Sequence, residues 1–512
     1  MGPAPGTNTD RSNLLRAYRR EHEHDREHGH GHERHRDRGR DRGRGGGGVT
    51  GVRVVIEGCA VATVDGEGRE FADGHVVIGD GRIEAVGAGA APAAYLDGAT
   101  RVDGRGCLAT PGLVSTHHHL YQWATQGIFA DHELFPWLRG LYPVWGALDA
   151  DVAHDAALGA LAWLAAHGAT TVADHAYLYP PGAGDVLGAE IAAAGRVGVR
   201  LHACRGAMDL GESRGGLPPD GLVEDTDAAL AATQAAIEAH HDPAPGARVR
   251  VAVAPCSPFS VTEAMMRGAA ELARSTGVRL HTHIAEGRTE EAFCRERTGT
   301  TPIGYLDRLG WLGADVWLAH AVHLDDDAVE RLAATGTSVA HCPTSNARLG
   351  SGIAPVRKLL DADVPVGLGV DGSASAEAVT VPVEAHQALL SARTRAAVRG
   401  EPDAAAALTA RDALALATIG GARCLGRENE IGALAPGRQA DVALWRIDGP
   451  GHAMIADPVV ALVLPAVPPP LELLLVGGVP IAEHGRPTAV TPEEATRAGV
   501  RAARRMRNGG HQ

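Results

Sequence analysis

The sequence predicts an α/β fold, a (β/α)8 TIM barrel carrying a small β-sandwich built from both chain ends. Two observations carry that prediction. Between residues 108 and 425 eight strand-like runs alternate with helical stretches. That order implies parallel βα units, and eight of them make a closed barrel the economical arrangement. On either side of this stretch lie short strand-like runs separated by Gly and Asp turns. At 512 residues the chain is long for one ordinary domain and normal for a barrel with a smaller companion.

The strand candidates of the middle stretch are Gly112 to His119, Thr170 to Ala176, Val199 to Arg205 and Arg248 to Pro255. Val278 to Ile284, Val316 to Ala321, Ser338 to Cys342 and Pro365 to Val370 complete the eight. Helical stretches fall between them, for example Asp155 to Ala166, Ala229 to Ala239 and Asp326 to Ala334. The last starts on Asp and has Gly336 just past its end, both helix-boundary signals. An open doubly wound sheet is the runner-up. It would carry a Gly-rich phosphate loop after its first strand, and the Pro111-Gly112 entry offers none.

The flanking strands are Val52 to Ile56, Ala60 to Val64, His75 to Ile78 and Arg82 to Val86. Asp441 to Trp445, Leu473 to Val476 and Val479 to Ala482 match them near the other end. The expected divisions are a tail over 1–48, sandwich strands in 49–107 and 426–490, the barrel over 108–425, and a C-terminal helix or tail over 491–512. Residues 1–48 are rich in Arg, His, Asp, Glu and Gly. They hold too few apolar groups to offset ordering entropy, so disorder is expected. The tail histidines His22, His24, His28, His30, His32 and His35 invite loose metal binding. A solvated tail without a specific role is the favoured reading.

Composition is globular, with 45% hydrophobic and 21% charged residues. A net charge of −14 argues against nucleic acid as a partner, which a basic face would serve. The seven cysteines are scattered with no Cys-x-x-Cys pair, which reads as reduced thiols in a cytoplasmic protein. No run approaches the ~18 apolar residues of a membrane helix, and no leader is expected.

Four signals carry chemistry. Thr116-His117-His118-His119 ends the first barrel strand. Strand side chains alternate, so His117 and His119 share a face and His118 points to the surrounding helices. His281-Thr282-His283-Ile284-Ala285-Glu286 closes the fifth strand. His283 lies nearer the C-terminal end, the active-site face of a barrel, and His281 one layer deeper as a hydrogen-bonded core histidine. Glu286, just beyond, is free to act as acid and base. His320 ends the sixth strand, positioned for metal or substrate, and His323 beyond it reads as structural. Asp371 follows Gly367-Leu368-Gly369-Val370 at the eighth strand end. A lone carboxylate there calls for a cation. Neutral imidazoles and a carboxylate suit one divalent ion, Zn2+ or Fe2+. His117, His119, His283 and Asp371 are the expected ligands, and Asp371 can also take a proton from an activated water.

This set resembles the amidohydrolase superfamily, in its mononuclear deaminase branch. Pro111-Gly112-Leu113-Val114-Ser115-Thr116-His117-His118-His119, His283-Ile284-Ala285-Glu286, Ala319-His320-Ala321-Val322-His323 and Gly369-Val370-Asp371-Gly372 carry the likeness over about residues 50–490. The resemblance implies a metal on His117, His119, His283 and Asp371, usually zinc and sometimes iron. It implies Glu286 as proton shuttle and His320 on the substrate. Finer features are similar to the 8-oxoguanine deaminase and hydroxyatrazine aminohydrolase group. These include His119-Leu120-Tyr121-Gln122, Leu134-Phe135-Pro136-Trp137, Asp174-His175, Pro255-Cys256-Ser257-Pro258-Phe259 and His341-Cys342-Pro343-Thr344-Ser345-Asn346. By that likeness Gln122, Arg205, Cys256 and His320 contact a small heterocyclic substrate. Oxidised purines, guanine, pterins and triazines remain open, as does a homo-oligomeric state. Two positions depart from the group. Ala376-Glu377 stands after Ser375 where Asn-Asp is usual, and Trp123 stands where a smaller residue is usual. Both are expected near the barrel mouth.

The competing readings fare less well. A binuclear site generally needs a carboxylated lysine on the fourth strand, and the only lysine, Lys358, lies between the seventh and eighth. Cys256 is the one other bridging group on offer, and a pocket or packing thiol is favoured. A non-catalytic relative of the same fold would have lost ligands that this chain keeps. A metal buffer acting through the tail leaves the barrel residues unexplained.

Overall fold

The computed structural model describes residues 53–509. The tail 1–48 and its histidines lie outside the described residues. The chain opens with β1 (Val54–Ala62), β2 (Glu70–Gly79), β3 (Arg82–Ala88), β4 (Thr100–Asp103) and β5 (Cys107–Pro111). The barrel follows as β6 (Leu113–Ser115), β7 (Ala169–Ala176), β8 (Arg200–Ala207), β9 (Val249–Pro255), β10 (Arg279–Ile284), β11 (Val316–His320), β12 (Ser338–His341) and β13 (Val366–Leu368). The chain returns through β14 (Val442–Arg446), β15 (Leu471–Val476), β16 (Val479–Glu483) and β17 (Arg486–Pro487), and ends in the helix Pro492–Gly509.

The eight middle strands form one parallel sheet in sequence order. Its two edges meet where the Thr116 N–H donates to the Leu368 carbonyl at 2.8 Å, closing the ring. The helices between strands start and stop where side chains dictate. Asp149, Asp185, Asp225, Thr262, Thr301 and Asp325 each accept a backbone N–H of a first helical turn. Gly198, Gly277, Gly299 and Gly336 close four of the helices in the left-handed conformation.

Strands from both termini form a single nine-stranded sheet, with β14 antiparallel to β5. Val54, Ile56, Val76 and Ile78 share one apolar core with Val442, Leu444, Leu473 and Leu475. Neither end could bury its apolar face alone, so the domain needs both. Val54 to Ile56 and Ala60 to Ala62, parts of two runs expected as separate strands, belong to one. Gly58 sits at φ +74° and the pairing register slips between Glu57 and Cys59, so the glycine makes a bulge instead of a turn. Beneath the barrel, buried Arg200 binds Asp441 through two bonds of 2.7 and 2.9 Å and ties the two domains together. The C-terminal helix lies on the helix Ala150–Ala166, where Arg501 grips Asp155 at 2.7 and 2.8 Å. Among the described residues no helix is long and apolar enough to cross a membrane.

Candidate metal centre and active site

The C-terminal ends of the barrel strands bring His117, His119, His175, His283, His320 and Asp371 together. Their donor atoms fall into two overlapping groups, each within 4.8 Å: His117, His119, His175 and His283, and His117, His320 and Asp371. β6 is shorter than expected. After Ser115 the chain turns its hydrogen bonds to β13, and His119 caps a 3-10 turn over Leu120–Thr125. The alternation still holds as far as His119. Gly369 permits this crossing, since a Cβ there would sit 2.6 Å from the Cβ of His117.

The hydrogen bonds around the rings fix which nitrogens face inward. His119 Nδ1 donates to the His175 carbonyl at 2.7 Å, and His283 Nδ1 to the Cys256 carbonyl at 2.7 Å. Both Nε2 atoms therefore keep lone pairs, and they lie 3.0 Å apart. His281 Nδ1 donates to the Trp317 carbonyl at 2.8 Å, so its Nε2 accepts from His117 Nδ1 at 2.8 Å. That leaves His117 Nε2 bare, and it is buried without a hydrogen-bond partner. Asp371 Oδ1 stands 3.4 Å from the Nε2 atoms of both His117 and His119. Three inward lone pairs and a carboxylate repel one another unless a cation sits among them. The donor set fits a divalent ion, and the backbone carbonyls behind the rings supply the outer support such sites use.

Burial holds His117 and His283 below the ordinary imidazole range, and His119 down to about 3. They are neutral near pH 7, the form that ligates. Burial alone would push the Asp371 carboxyl up. The neighbouring rings of His117, His320 and His119 outweigh burial and hold it well below its usual range. Those opposite tendencies of one buried pair resolve in favour of neutral imidazoles and an ionised Asp371. The Gly372 N–H at 2.6 Å and Ser375 Oγ at 3.1 Å satisfy that carboxylate, and Ser345 Oγ feeds Ser375 at 3.0 Å. Glu286 goes the other way: burial first, then the charge of Asp371, raise it well above a normal carboxyl. Two neighbouring carboxyls are thus shifted in opposite directions, Asp371 down and Glu286 up. Glu286 Oε2 lies 3.6 Å from His320 Nε2, whose ring is oriented by Asn346 Oδ1 at 3.0 Å from Nδ1. Ala285, His320 and Asp371 all take positive φ, of 52°, 73° and 57°. Such conformations cost about 1–3 kcal/mol each and gather at functional sites.

A small cavity opens above this cluster. Gln122, Leu134, Trp137, Leu138, Tyr142, Tyr177, Cys256 and Phe259 line it beside Glu286, His320 and Asp371. Gln122 Oε1, Trp137 Nε1 and the Tyr142 hydroxyl are buried there without partners. Of the expected substrate contacts, Gln122, Cys256 and His320 reach the cavity and Arg205 does not. The Arg205 guanidinium is taken by Glu224 at 2.7 and 2.9 Å and by the Gly206 carbonyl, and it stacks 3.8 Å over Tyr179. Burial pushes the Cys256 thiol up to about 12, so it lines the cavity uncharged while its carbonyl holds His283.

His118 is buried outside the metal-capable groups, and His323 binds the Ser351 carbonyl at 2.8 Å. Trp123 is also away from the mouth. Its indole nitrogen packs where Cβ atoms on Gly159 or Gly499 would come within 2.6 or 2.9 Å, between two helices on the outside of the barrel. Glu377 faces Arg348 at 3.5 Å, and neither it nor Ala376 lines the cavity. His175 is the member that sequence reasoning missed as a metal-capable group, although it ends β7 as His283 ends β10. Tyr142 left no signal, because only the packing of the helix Leu134–Trp145 over the cavity shows it.

Barrel, strand-end histidines and split carboxyls define a metal-dependent hydrolase of the barrel type. The chain belongs to the amidohydrolase family, whose model matches residues 108–467. It is 45% identical to the 8-oxoguanine deaminase of Pseudomonas aeruginosa over 410 residues, 80% of this chain and 89% of that one. An isoxanthopterin deaminase from an unknown prokaryotic organism is 37% identical, over 81% of this chain and 84% of its own. Among solved structures, the atrazine chlorohydrolase of Arthrobacter aurescens TC1 complexed with zinc aligns with a TM-score of 0.82 at 33% identity, covering 88% of this chain and all of that one. An adenosine deaminase from Xanthomonas campestris with bound zinc shares the fold, with a TM-score of 0.79 at 24% identity over 90% of this chain and 99% of that one.

Proposed function

We propose that the protein is a hydrolytic deaminase of an amino-substituted nitrogen heterocycle, with 8-oxoguanine as substrate and zinc as the resident ion. The observation that carries the reading is the placement of Asp371 and Glu286 at the barrel mouth beside His320 and three inward imidazole nitrogens. The 45% identity to an 8-oxoguanine deaminase favours the purine. Imidazole nitrogens with one carboxylate favour zinc, with iron the alternative. His117, His119, His283 and Asp371 would hold the ion. A divalent ion in that position makes a neighbouring water acidic near neutral pH.

The protein's own groups then manage the protons. Asp371 takes one from the attacking water, whose oxygen bonds to the ring carbon bearing the amino group. Glu286 delivers its proton to the adjacent ring nitrogen, making that carbon electrophilic, and is reprotonated from the same water. His320, aligned by Asn346, steadies the developing negative charge. The proton held by Asp371 leaves on the amine, so ammonia departs and the carbon becomes a carbonyl. Overall, one water proton ends on the ring nitrogen and the other on ammonia. For 8-oxoguanine the product is the trioxopurine. Seven free, buried cysteines are consistent with a reducing cytoplasmic setting.

The test is ammonia release from 8-oxoguanine, guanine, isoxanthopterin, S-adenosylhomocysteine and hydroxyatrazine, with metal content measured on the same sample. The highest kcat/KM is expected for 8-oxoguanine. Stoichiometric metal with no ammonia from any of the five would overturn the proposed activity.

A further inference from the structure

We propose that Glu290 is a positioning residue for Glu286, acting through the backbone on which Glu286 stands. This inference rests on the deaminase reading above for its effect on turnover. Glu290 is fully buried at the third position of the helix Arg288–Thr298. A glutamate there ordinarily reaches back to the backbone N–H of the capping residue, here Gly287. Glu290 reaches further. Its Oε1 accepts the Ala285 N–H at 2.9 Å and its Oε2 the Glu286 N–H at 2.8 Å.

The same turn is held from the opposite side. The Ala285 carbonyl accepts the Val322 N–H at 2.9 Å and the His323 N–H at 3.0 Å. Ala285 sits at φ 52°, a conformation that a residue with a Cβ keeps only when its surroundings impose it. The turn is therefore fixed between its own downstream helix and the chain leaving β11, which carries His320. That is how the Glu286 carboxyl comes to lie 3.6 Å from His320 Nε2. A carboxylate suits the task because it offers two acceptor oxygens and no donor. The amide of glutamine would set an NH2 against one of the two N–H groups.

Two measurements test the assignment in the metal-loaded enzyme. The first is amide hydrogen exchange in Glu290→Gln. Ala285 and Glu286 should exchange at least about 10-fold faster, with β11 unchanged. Unchanged protection at both amides overturns the inference, and so does a rise spread over the whole barrel. The second is steady-state kinetics. A misplacement of about 1 Å at a reacting group costs on the order of 10² in rate. The variant should therefore lose roughly 10- to 100-fold in kcat, with KM and metal stoichiometry within about twofold. A wild-type kcat overturns it, as does a loss that disappears when the rate is expressed per bound metal. Should Glu290→Gln fail to fold, Glu290→Asp keeps the two acceptor oxygens, shortens the reach, and should show the same selective loss in kcat. A wild type inactive on every heterocycle sinks the deaminase reading and the kinetic claim with it. The exchange measurement still decides whether Glu290 pins the turn.

Discussion

His119 and His283 face each other through their Nε2 atoms at 3.0 Å, while the Nδ1 of each ring is committed to a backbone carbonyl. Neither ring can donate to the other without giving up that carbonyl. The contact is repulsive in the absence of a cation and attractive around one. Removing the ion with a chelator should therefore lower Tm by about 5 °C or more, reversed by zinc, since a ligand that binds only the folded state stabilises it by mass action. Asp371→Ala should lose both metal and activity, and wild-type metal content in that variant would exclude Asp371 as a ligand.

Glu286 makes no such contact with the rings of His119 and His283, and the predictions for it differ accordingly. Glu286→Gln removes the proton it carries and keeps its shape. Metal content should stay at the wild-type level while kcat falls by about 10²–10⁴, the usual worth of a positioned proton donor. Metal analysis and turnover on one preparation check it. Retained turnover would move the acid role elsewhere.

Trp137 offers a buried indole N–H to the cavity and finds no partner there, and the Tyr142 hydroxyl is likewise unpartnered. A buried unpaired donor costs about 1–3 kcal/mol until a ligand pairs it. An oxo group on the substrate edge would do so, and 8-oxoguanine has one where guanine has a C–H. Trp137→Phe should narrow the preference for 8-oxoguanine over guanine, measured as the ratio of kcat/KM, by about 10-fold or more. An unchanged ratio would remove Trp137 from substrate recognition.

Glu384 contributes to the pH dependence of stability. Burial, assisted by the charge of Asp371, pushes its carboxyl up to about 8, against hydrogen bonding from Thr344. The folded state thus holds a proton that the unfolded chain releases near pH 4.5. That contribution is complete below the unfolded value and is lost as pH rises through the folded one. Denaturant midpoints should fall between about pH 5 and pH 8.5 in the wild type. Glu384→Gln should flatten that slope, and an equal slope in both proteins would refute the assignment.

What the sequence determined by itself was periodic or local. Alternation along a strand placed His117 with His119 and His281 beneath His283, and position at a strand end marked Glu286, His320 and Asp371. These follow from the two-residue repeat of a strand and the common face on which barrel strands end. Caps and closing glycines set the helix ends for the same local reason, as at Asp325 and Gly336.

Only the tertiary structure decided which side chains were free to act. Arg205 ends the third strand run as promisingly as any ligand, yet Glu224, nineteen residues on, takes its guanidinium. Trp123 follows the metal motif by four residues, and a gap left by Gly159 and Gly499 draws it out of the mouth. The helix Leu134–Trp145 brings Trp137 and Tyr142 to the cavity, and Glu290 turns back beneath Glu286. Each outcome depends on a partner distant in sequence or on the path of a loop. Hydrophobic periodicity specifies the face a residue occupies, and partners across the packed interior specify what it does there.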